Sequence, residues 1–431
     1  MPELLALGSP PGARRRFRLR PIRAGVIKVS LKPGLLFQMR ILLLSAAFTP
    51  DPGGVATHVN DLAQGLLRAG HTVFVVTRHK DETPRKAGYG RLLIWKRPRK
   101  SVPEFDGRRV FCEDILSFVF ENWHQIKPDI VHAHDPDSLF LAWMLKTAFG
   151  RPVMMTVHRA PSPWREGRFR ESAKDCFMET ARTAGLMGGI AVPSQSSAQV
   201  LREQGFGTGT DQTQVEVIPH GVRSYPSSIA DDQDVVQEIK KFAPGYLIIC
   251  PSRADEHKDV ETFVEAAGLL KRDLPSQNLH FLLGAQETDV NYRKVRQIAK
   301  DSGLSEGHDI LFKTFPYKHM PTVYRRATVC VIRSRHESFG LTVLEAFLWG
   351  VPVVAANTSA LRETVTNGMN GLLFTDGDAR DLAAQVRRVV VDRALRTHLR
   401  KGGAEAIGSG RHSAAAMVRR YELFYARILD R

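Results

Sequence analysis

The 431-residue chain has little cysteine: Cys112, Cys176, Cys250 and Cys330 stand far apart, and none belongs to a C-x-x-C pair. Such spacing suits neither a structural zinc site nor a dense disulfide framework, and it makes a reducing, cytoplasmic setting the expectation. Long apolar runs are missing too. The stretch Ile41 to Phe48 falls far short of the roughly 18 to 20 residues that cross a bilayer, so no spanning segment is expected. The N-terminus has no apolar core or cleavage pattern of a secretory signal. No Gly-x-Gly-x-x-Gly follows a strand, since Gly205-Phe206-Gly207-Thr208-Gly209 comes after a predicted helix. That absence argues against a dinucleotide-dependent oxidoreductase. Nor is there a series of base-stacking aromatics or a recognisable nucleic-acid module, and no nucleic-acid partner is expected.

What the chain does have is length, an ordinary core composition and basic charge. At 43% hydrophobic and 25% charged residues it lies away from the composition of disordered chains. Its length predicts two domains of ordinary size. Lys and Arg number 61 against 45 Asp and Glu, a net +16, which admits nucleic acid, an anionic membrane surface or an anionic substrate. Much of the surplus is local. Residues 1–38 hold Arg14, Arg15, Arg16, Arg18, Arg20, Arg23, Lys28 and Lys32 against Glu3 alone, a net +7 that leaves +9 for the rest. We read this basic N-terminal extension as a disordered tail or a misassigned start, with an interaction arm or a targeting segment as the other readings. Arg85, Lys86, Lys96, Arg97, Arg99 and Lys100 keep open a peripheral contact with the inner face of an anionic membrane.

From Met39 onward, short β-branched runs alternate with helical periods. Predicted strands are Arg40 to Ala46, Thr72 to Thr77, Asp129 to Ala133, Val153 to His158, Gly189 to Val192 and Val215 to Ile218. After a Ser-, Asp- and Pro-rich linker the alternation resumes with Tyr246 to Cys250, Leu279 to Leu283, Ile310 to Phe315, Val329 to Ile332 and Pro352 to Ala356. Continuous apolar strands separated by helices imply parallel sheets covered on both faces. The expected architecture is α/β, with two tandem Rossmann-like domains and a cleft between them. The first domain spans 39–222, the linker 223–234 and the second domain 235–408. A C-terminal helix at 409–431 is expected to pack back on the first domain.

Ligands of open α/β sheets bind at the carboxyl ends of the strands, so the loops there are where chemistry is expected. Gly53-Gly54 opens a helix beginning near Val55, where unpaired N–H groups and the helix dipole favour an anion; a simple tight turn is the plainer alternative. His134-Asp135-Pro136-Asp137 follows a strand. Asp135 and Asp137 spell the D-x-D of metal-dependent sugar transfer, but Asp137 reads better as the cap of the next helix. His158 ends a strand, where it is either a functional or a satisfied structural histidine. Arg253 and Lys258 follow another strand and could grip a pyrophosphate from two sides, although alone they are an ordinary basic loop. The most informative segment runs from Glu337 through Ser338, Phe339, Gly340 and Leu341 to Glu345. It places one carboxylate at a strand-to-helix turn and a second, read as two turns inside the helix, beside apolar Ala346, Phe347 and Leu348. A carboxylate in such company is costly unless paired or bound.

In this ordered set the chain resembles the GT4 family of retaining, nucleotide-sugar-dependent glycosyltransferases with the GT-B fold, from about Met39 to Asp392. The carrying residues are Gly53-Gly54 with His58-Val59, Gly70-His71-Thr72-Val73, Val131-His132-Ala133-His134-Asp135, Thr156-Val157-His158, Val217-Ile218-Pro219-His220-Gly221-Val222, Arg253 with Lys258, Glu337 through Glu345, and Gly350-Val351-Pro352-Val353-Val354. The resemblance implies that Arg253 and Lys258 hold the diphosphate of a UDP- or GDP-sugar and that Glu337 holds sugar hydroxyls. It further implies that the amides of Ser338, Phe339, Gly340 and Leu341 contact sugar and phosphate, and that Glu345 binds the ribose. His158 would face the reacting sugar and the Gly53-Gly54 loop would close on the ligand. His58, His134 and Asp135 are acceptor-side candidates, and the acceptor is unknown. No cofactor or metal is required on this reading. Two departures stand out: Thr358 to Glu363 lacks the family's usual Gly-Gly, and Arg333-Ser334 has no proline before the serine. A glycan phosphorylase of the same fold is the nearest rival activity, and a binding-only protein a more distant one.

Overall fold

The structure is a computed structural model, and it describes residues 38–49, 53–79, 85–89, 92–98, 116–158, 185, 187–208, 213–223, 230–255, 258–335, 337–358 and 360–430. The basic extension, Asp137's side chain, Arg99, Lys100, the loop after His158, Cys112 and Cys176 lie outside the described residues and side chains. Residues from Gln38 onward form one compact unit.

Among the described residues, fourteen strands build two sheets. The first contains β1 (Arg40–Ser45), β2 (Thr72–His79), β3 (Arg85–Tyr89), β4 (Leu92–Pro98), β5 (Ile130–Ala133), β6 (Val153–Thr156), β7 (Gly189–Val192) and β8 (Gln214–Val217). Their spatial order is β3-β4-β2-β1-β5-β6-β7-β8. All neighbours are parallel except β3, which runs antiparallel to β4 at the edge. The second sheet holds β9 (Tyr246–Cys250), β10 (Leu279–Leu283), β11 (Ile310–Phe312), β12 (Val329–Ile332), β13 (Val353–Ala356) and β14 (Gly371–Phe374). Its order is β11-β10-β9-β12-β13-β14.

Central strands such as β5, β6, β12 and β13 are buried at every residue, as helices on both faces require. Three strands escaped the sequence reading. β3 and β4 carry Arg85, Lys86, Lys96 and Arg97, so that basic segment is an edge hairpin; charged residues are a usual guard of such edges. β14 is only four residues long and opens on Gly371. Two strands are shorter than expected by two residues or more: β6 ends at Thr156, placing His158 in the following loop, and β11 ends at Phe312.

Helix α1 (Gly54–Arg68) buries Val59, Leu62 and Leu66 against the first sheet. The same face of that sheet is covered by the C-terminal helix Ala414–Leu429 through Met417, Tyr421, Phe424, Tyr425 and Ile428. Gly65, Gly188 and Gly189 permit this close approach. A Cβ on Gly65 would collide with Val418, and one on Gly188 would stand 2.8 Å from Ile428. The linker is shorter than its composition suggested, because Asp232 accepts from Val235 N and starts a helix at Gln233. Among the described residues, no helix is long and apolar enough to cross a membrane.

Candidate functional site

The strand ends of the two sheets bring their loops together. Gly53 has φ +127°, a conformation few residues but glycine adopt. Next to it, a Cβ on Gly54 would lie 3.3 Å from Leu341 Cδ1. The loop before α1 therefore faces the start of the helix Leu341–Leu348 in the second sheet's half. That helix is preceded by Gly340 at φ +84°, and no side chain caps it. Its first N–H groups are thus directed at the space near the glycine loop.

On the second-sheet side, Lys258 Nζ donates to Glu337 Oε2 at 3.0 Å. Both side chains are partly exposed. Arg253 lies after β9 and pairs with Asp255 at 2.8 Å, with its guanidinium 64% exposed. Glu345 sits one turn, not two, inside its helix, since that helix starts at Leu341. It accepts from Tyr324 Oη at 3.0 Å. Burial pushes its pKa up to about 7, with the hydroxyls of Tyr324 and Tyr317 opposing the rise and Asp61 adding to it. A buried carboxylate whose charged form is disfavoured in this way, beside an uncapped helix start, makes this a candidate ligand site.

Arg333 has a larger part than the sequence suggested. It is wholly buried and forms an ion pair with Asp259, which Arg335 joins at 3.2 Å. Asp259 takes φ +44°, so this pair fixes a strained residue directly beside Lys258. Burial lowers the pKa of Arg333 to about 10.

On the first-sheet side lies a floor of imidazoles. His58 on α1, His134 after β5, His158 after β6 and His220 after β8 converge. Ring centroids are 4.7 Å apart for His58 and His158, 4.3 Å for His58 and His220, and 5.5 Å for His134 and His158. His134 Nδ1 lies 3.2 Å from His158 Nε2. Burial lowers the pKa of all four, and the neighbouring rings depress His58, His134 and His220 further. Phe339 meets His220 edge-on at 5.1 Å, joining this floor to the second half. Behind it, His132 contacts Tyr425 Oη at 2.8 Å and Thr156 Oγ1 at 2.7 Å, and Thr156 Oγ1 contacts Tyr421 Oη at 2.9 Å.

Asp135 does not project into this space as an acceptor-side group. It is the cap of the helix Pro136–Phe149, accepting from Ser138 N at 2.8 Å, and its other oxygen accepts from Ala46 N at 2.6 Å. The cap is therefore Asp135 rather than Asp137, because proline at the first helical position favours a capping residue just before it. His220, His132, Tyr421 and Tyr425 were missed as members of the site. The i, i+2 spacing of His132 in β5 and His134 just after it, which puts both on one side of an extended backbone, was the available signal. Nothing local marks the tyrosines, which arrive from the far end of the chain.

The family profile described as Glycosyl transferases group 1 matches residues 231–406, and that of Glycosyltransferase Family 4 matches residues 52–224. A D-inositol 3-phosphate glycosyltransferase of Nocardia farcinica is 25% identical over 437 residues, covering 95% of this chain and 91% of the relative. A glycogen synthase of Mycobacterium tuberculosis is 25% identical over 383 residues, covering 83% and 87%. Among solved structures, the sucrose-phosphate synthase of Thermosynechococcus elongatus superimposes with TM-score 0.75 at 22% identity, covering 91% of this chain and all of that one. Anabaena HepE in complex with UDP and glucose gives 0.69 at 19% identity, covering 90% and 100%.

Proposed function

The chain belongs to the GT4 group 1 glycosyltransferases and has the two-domain α/β GT-B fold, and from this premise we propose that it moves a sugar from a nucleotide diphosphate sugar to an acceptor hydroxyl with retention of configuration. The observation that carries the reading is the convergence of Lys258, Glu337, the uncapped helix start at Gly340 and the perturbed Glu345 opposite the Gly53-Gly54 loop. Lys258, Arg253 and the helix N–H groups form a preorganised positive end for a diphosphate, as charge on a departing phosphate demands. Glu337 would take sugar hydroxyls and Glu345 the ribose. HepE, solved with UDP-glucose, shares the fold, which is in keeping with a nucleotide-sugar donor.

In the proposed reaction the bond from the anomeric carbon to the diphosphate oxygen breaks, and its electron pair leaves with the nucleoside diphosphate. The acceptor oxygen bonds to the same carbon from the same face, and its proton passes to the departing phosphate. Glu337 engaged by Lys258 and Asp135 locked in a helix cap are poor candidates for a covalent nucleophile, which supports direct front-face transfer. His158 would lie against the reacting sugar as a neutral ring. The acceptor would bind on the first-sheet side near His58 and His134. On this reading the catalytic machinery needs no metal, and peripheral membrane contact through the basic edge hairpin is a compatible addition.

The test is a thermal-shift screen of UDP, GDP and their sugars, in which a specific binder raises the melting temperature in proportion to ln(1 + [L]/Kd). Lys258→Ala and Glu337→Ala should cancel the shift or the transfer while leaving the fold intact. Full donor turnover by both variants would reject the assignment. Product formation from free sugar phosphate without nucleotide would favour a phosphorylase instead.

A further inference from the structure

We propose that His58, His134 and His158 form a binding site for a single divalent transition metal ion of the zinc class. The three rings come from three separate segments of the first-sheet half, α1 and the ends of β5 and β6, and one nitrogen from each lies within 4.8 Å of the others. His134 Nδ1 and His158 Nε2 are 3.2 Å apart, about the edge of a tetrahedron whose metal–nitrogen bonds are roughly 2.0 to 2.1 Å. Little side-chain movement is needed to bring two ligands to one ion.

His58 strengthens the inference independently. Its ring is 2% exposed, and Nδ1 has no hydrogen-bond partner among the described residues. Its other nitrogen faces Tyr421 Oη at 3.4 Å. A proton on Nε2 directed at that hydroxyl leaves a lone pair on Nδ1, the form a metal takes, with the tyrosine as the outer partner that orients the ring. A buried nitrogen without a partner is costly, and an ion would satisfy it. Three imidazoles without a carboxylate select Zn2+, Co2+, Ni2+ or Cu2+ over Mg2+ or Ca2+. Three protein ligands also leave the ion one open position, where an exogenous group can bind.

One consequence rests on the proposed transfer reaction: His158 cannot bind an ion and face the reacting sugar together, so Zn2+ is an inhibitor whose binding site overlaps the acceptor side. The site itself stands apart from that reading.

The experiment uses the full chain, stripped with a chelator and titrated with Zn2+ in competition with a chromogenic chelator, alongside Co2+ absorption spectra. One equivalent should bind, and Co2+ should give the intense visible bands of four-coordinate geometry. His58→Ala, His134→Ala and His158→Ala should each weaken binding by roughly 100-fold or more, beyond the loss typical of an outer partner. The exposed His124→Gln should bind as the unaltered chain does. His158 is only half-buried, so its variant keeps the test open if the buried ones misfold, and the Co2+ spectrum needs no variant at all. Absence of stoichiometric binding, or binding that survives loss of each histidine, overturns the proposal. If one ion binds as described yet transfer is untouched by Zn2+, the metal site holds and the place given to His158 in transfer fails.

Discussion

The carboxylate of Glu363 accepts from the backbone N–H of Ser196 at 2.8 Å and from its hydroxyl at 2.6 Å, while its second oxygen accepts from Gln195 N at 2.8 Å. Glu363 belongs to the second-sheet half, and the helix Gln195–Glu203 to the first. One side chain thus occupies another half's helix N-terminus, where a negative charge is favoured by both the unpaired N–H groups and the dipole. Ser197 Oγ also reaches Ser338 O at 3.5 Å, beside the proposed donor site.

Glu363→Ala should loosen this closed arrangement. A lost cap is worth about 1 to 2 kcal/mol, enough to shift an open-to-closed balance by roughly 5- to 30-fold. Small-angle scattering should show a larger radius for the variant without nucleotide, and identical profiles would show that Glu363 does not hold the halves together.

Glu345 should make both stability and nucleotide affinity depend on pH. Its folded pKa, about 7, lies above that of a free glutamate, so the folded chain holds the extra proton. Its contribution is therefore favourable below the unfolded pKa and is lost as pH rises through 7. Between pH 5 and pH 8 the wild type should lose about 2 to 3 kcal/mol relative to Glu345→Gln, at 1.36 kcal/mol per unit over roughly two units. If ribose hydroxyls donate to the ionised carboxylate, UDP should bind more tightly at pH 8 than at pH 6, and Glu345→Gln should flatten that slope. Parallel urea melts and calorimetric titrations at the two pH values measure both effects.

Removing Arg333 alone should be severe. Arg333→Met would leave Asp259 buried with only the exposed Arg335 as counter-charge, at a cost of about 3 to 5 kcal/mol. Adding Asp259→Asn should recover most of it, because asparagine tolerates the left-handed backbone there. Denaturant unfolding of both variants gives the comparison, and additive losses would mean the pair is not coupled.

Gly340→Ala should weaken nucleotide binding as well as the fold. The new Cβ would lie 2.8 Å from Leu361 Cδ2 at a backbone of φ +84°, a strain of about 1 to 2 kcal/mol before any clash. The reference is Gly410→Ala, also at positive φ but with nothing within 4 Å. A variant at Gly340 that binds UDP as well as this reference does would argue against the helix start as a phosphate site.

Much of the fold was legible because buried parallel strands announce themselves as continuous apolar runs, as in Leu279 to Leu283 and Val329 to Ile332. The basic hairpin of β3 and β4 was not, since an edge strand need not be apolar. The candidate site of the second half could be located in the sequence for a similar reason: Lys258, Glu337 and Gly340 lie on short strand-to-helix loops and Glu345 one turn into the helix that follows, where local order and spatial order coincide. Asp135 was misread because an isolated carboxylate after a strand looks the same whether it caps a helix or meets a ligand.

By itself, the order of residues along the chain determined two α/β sheets, the loops that carry chemistry and the membership these motifs imply. Those features depend on local periodicity and on turn chemistry, which act within a few residues. Only the tertiary structure decided that four histidines share one floor, that His132, Tyr421 and Tyr425 support it from behind, and that Arg333 anchors the neighbour of Lys258. It also decided that Glu363 closes on Ser196. Each of these joins segments from 24 to nearly three hundred residues apart, and no pattern in the chain encodes such a meeting before the sheets are packed.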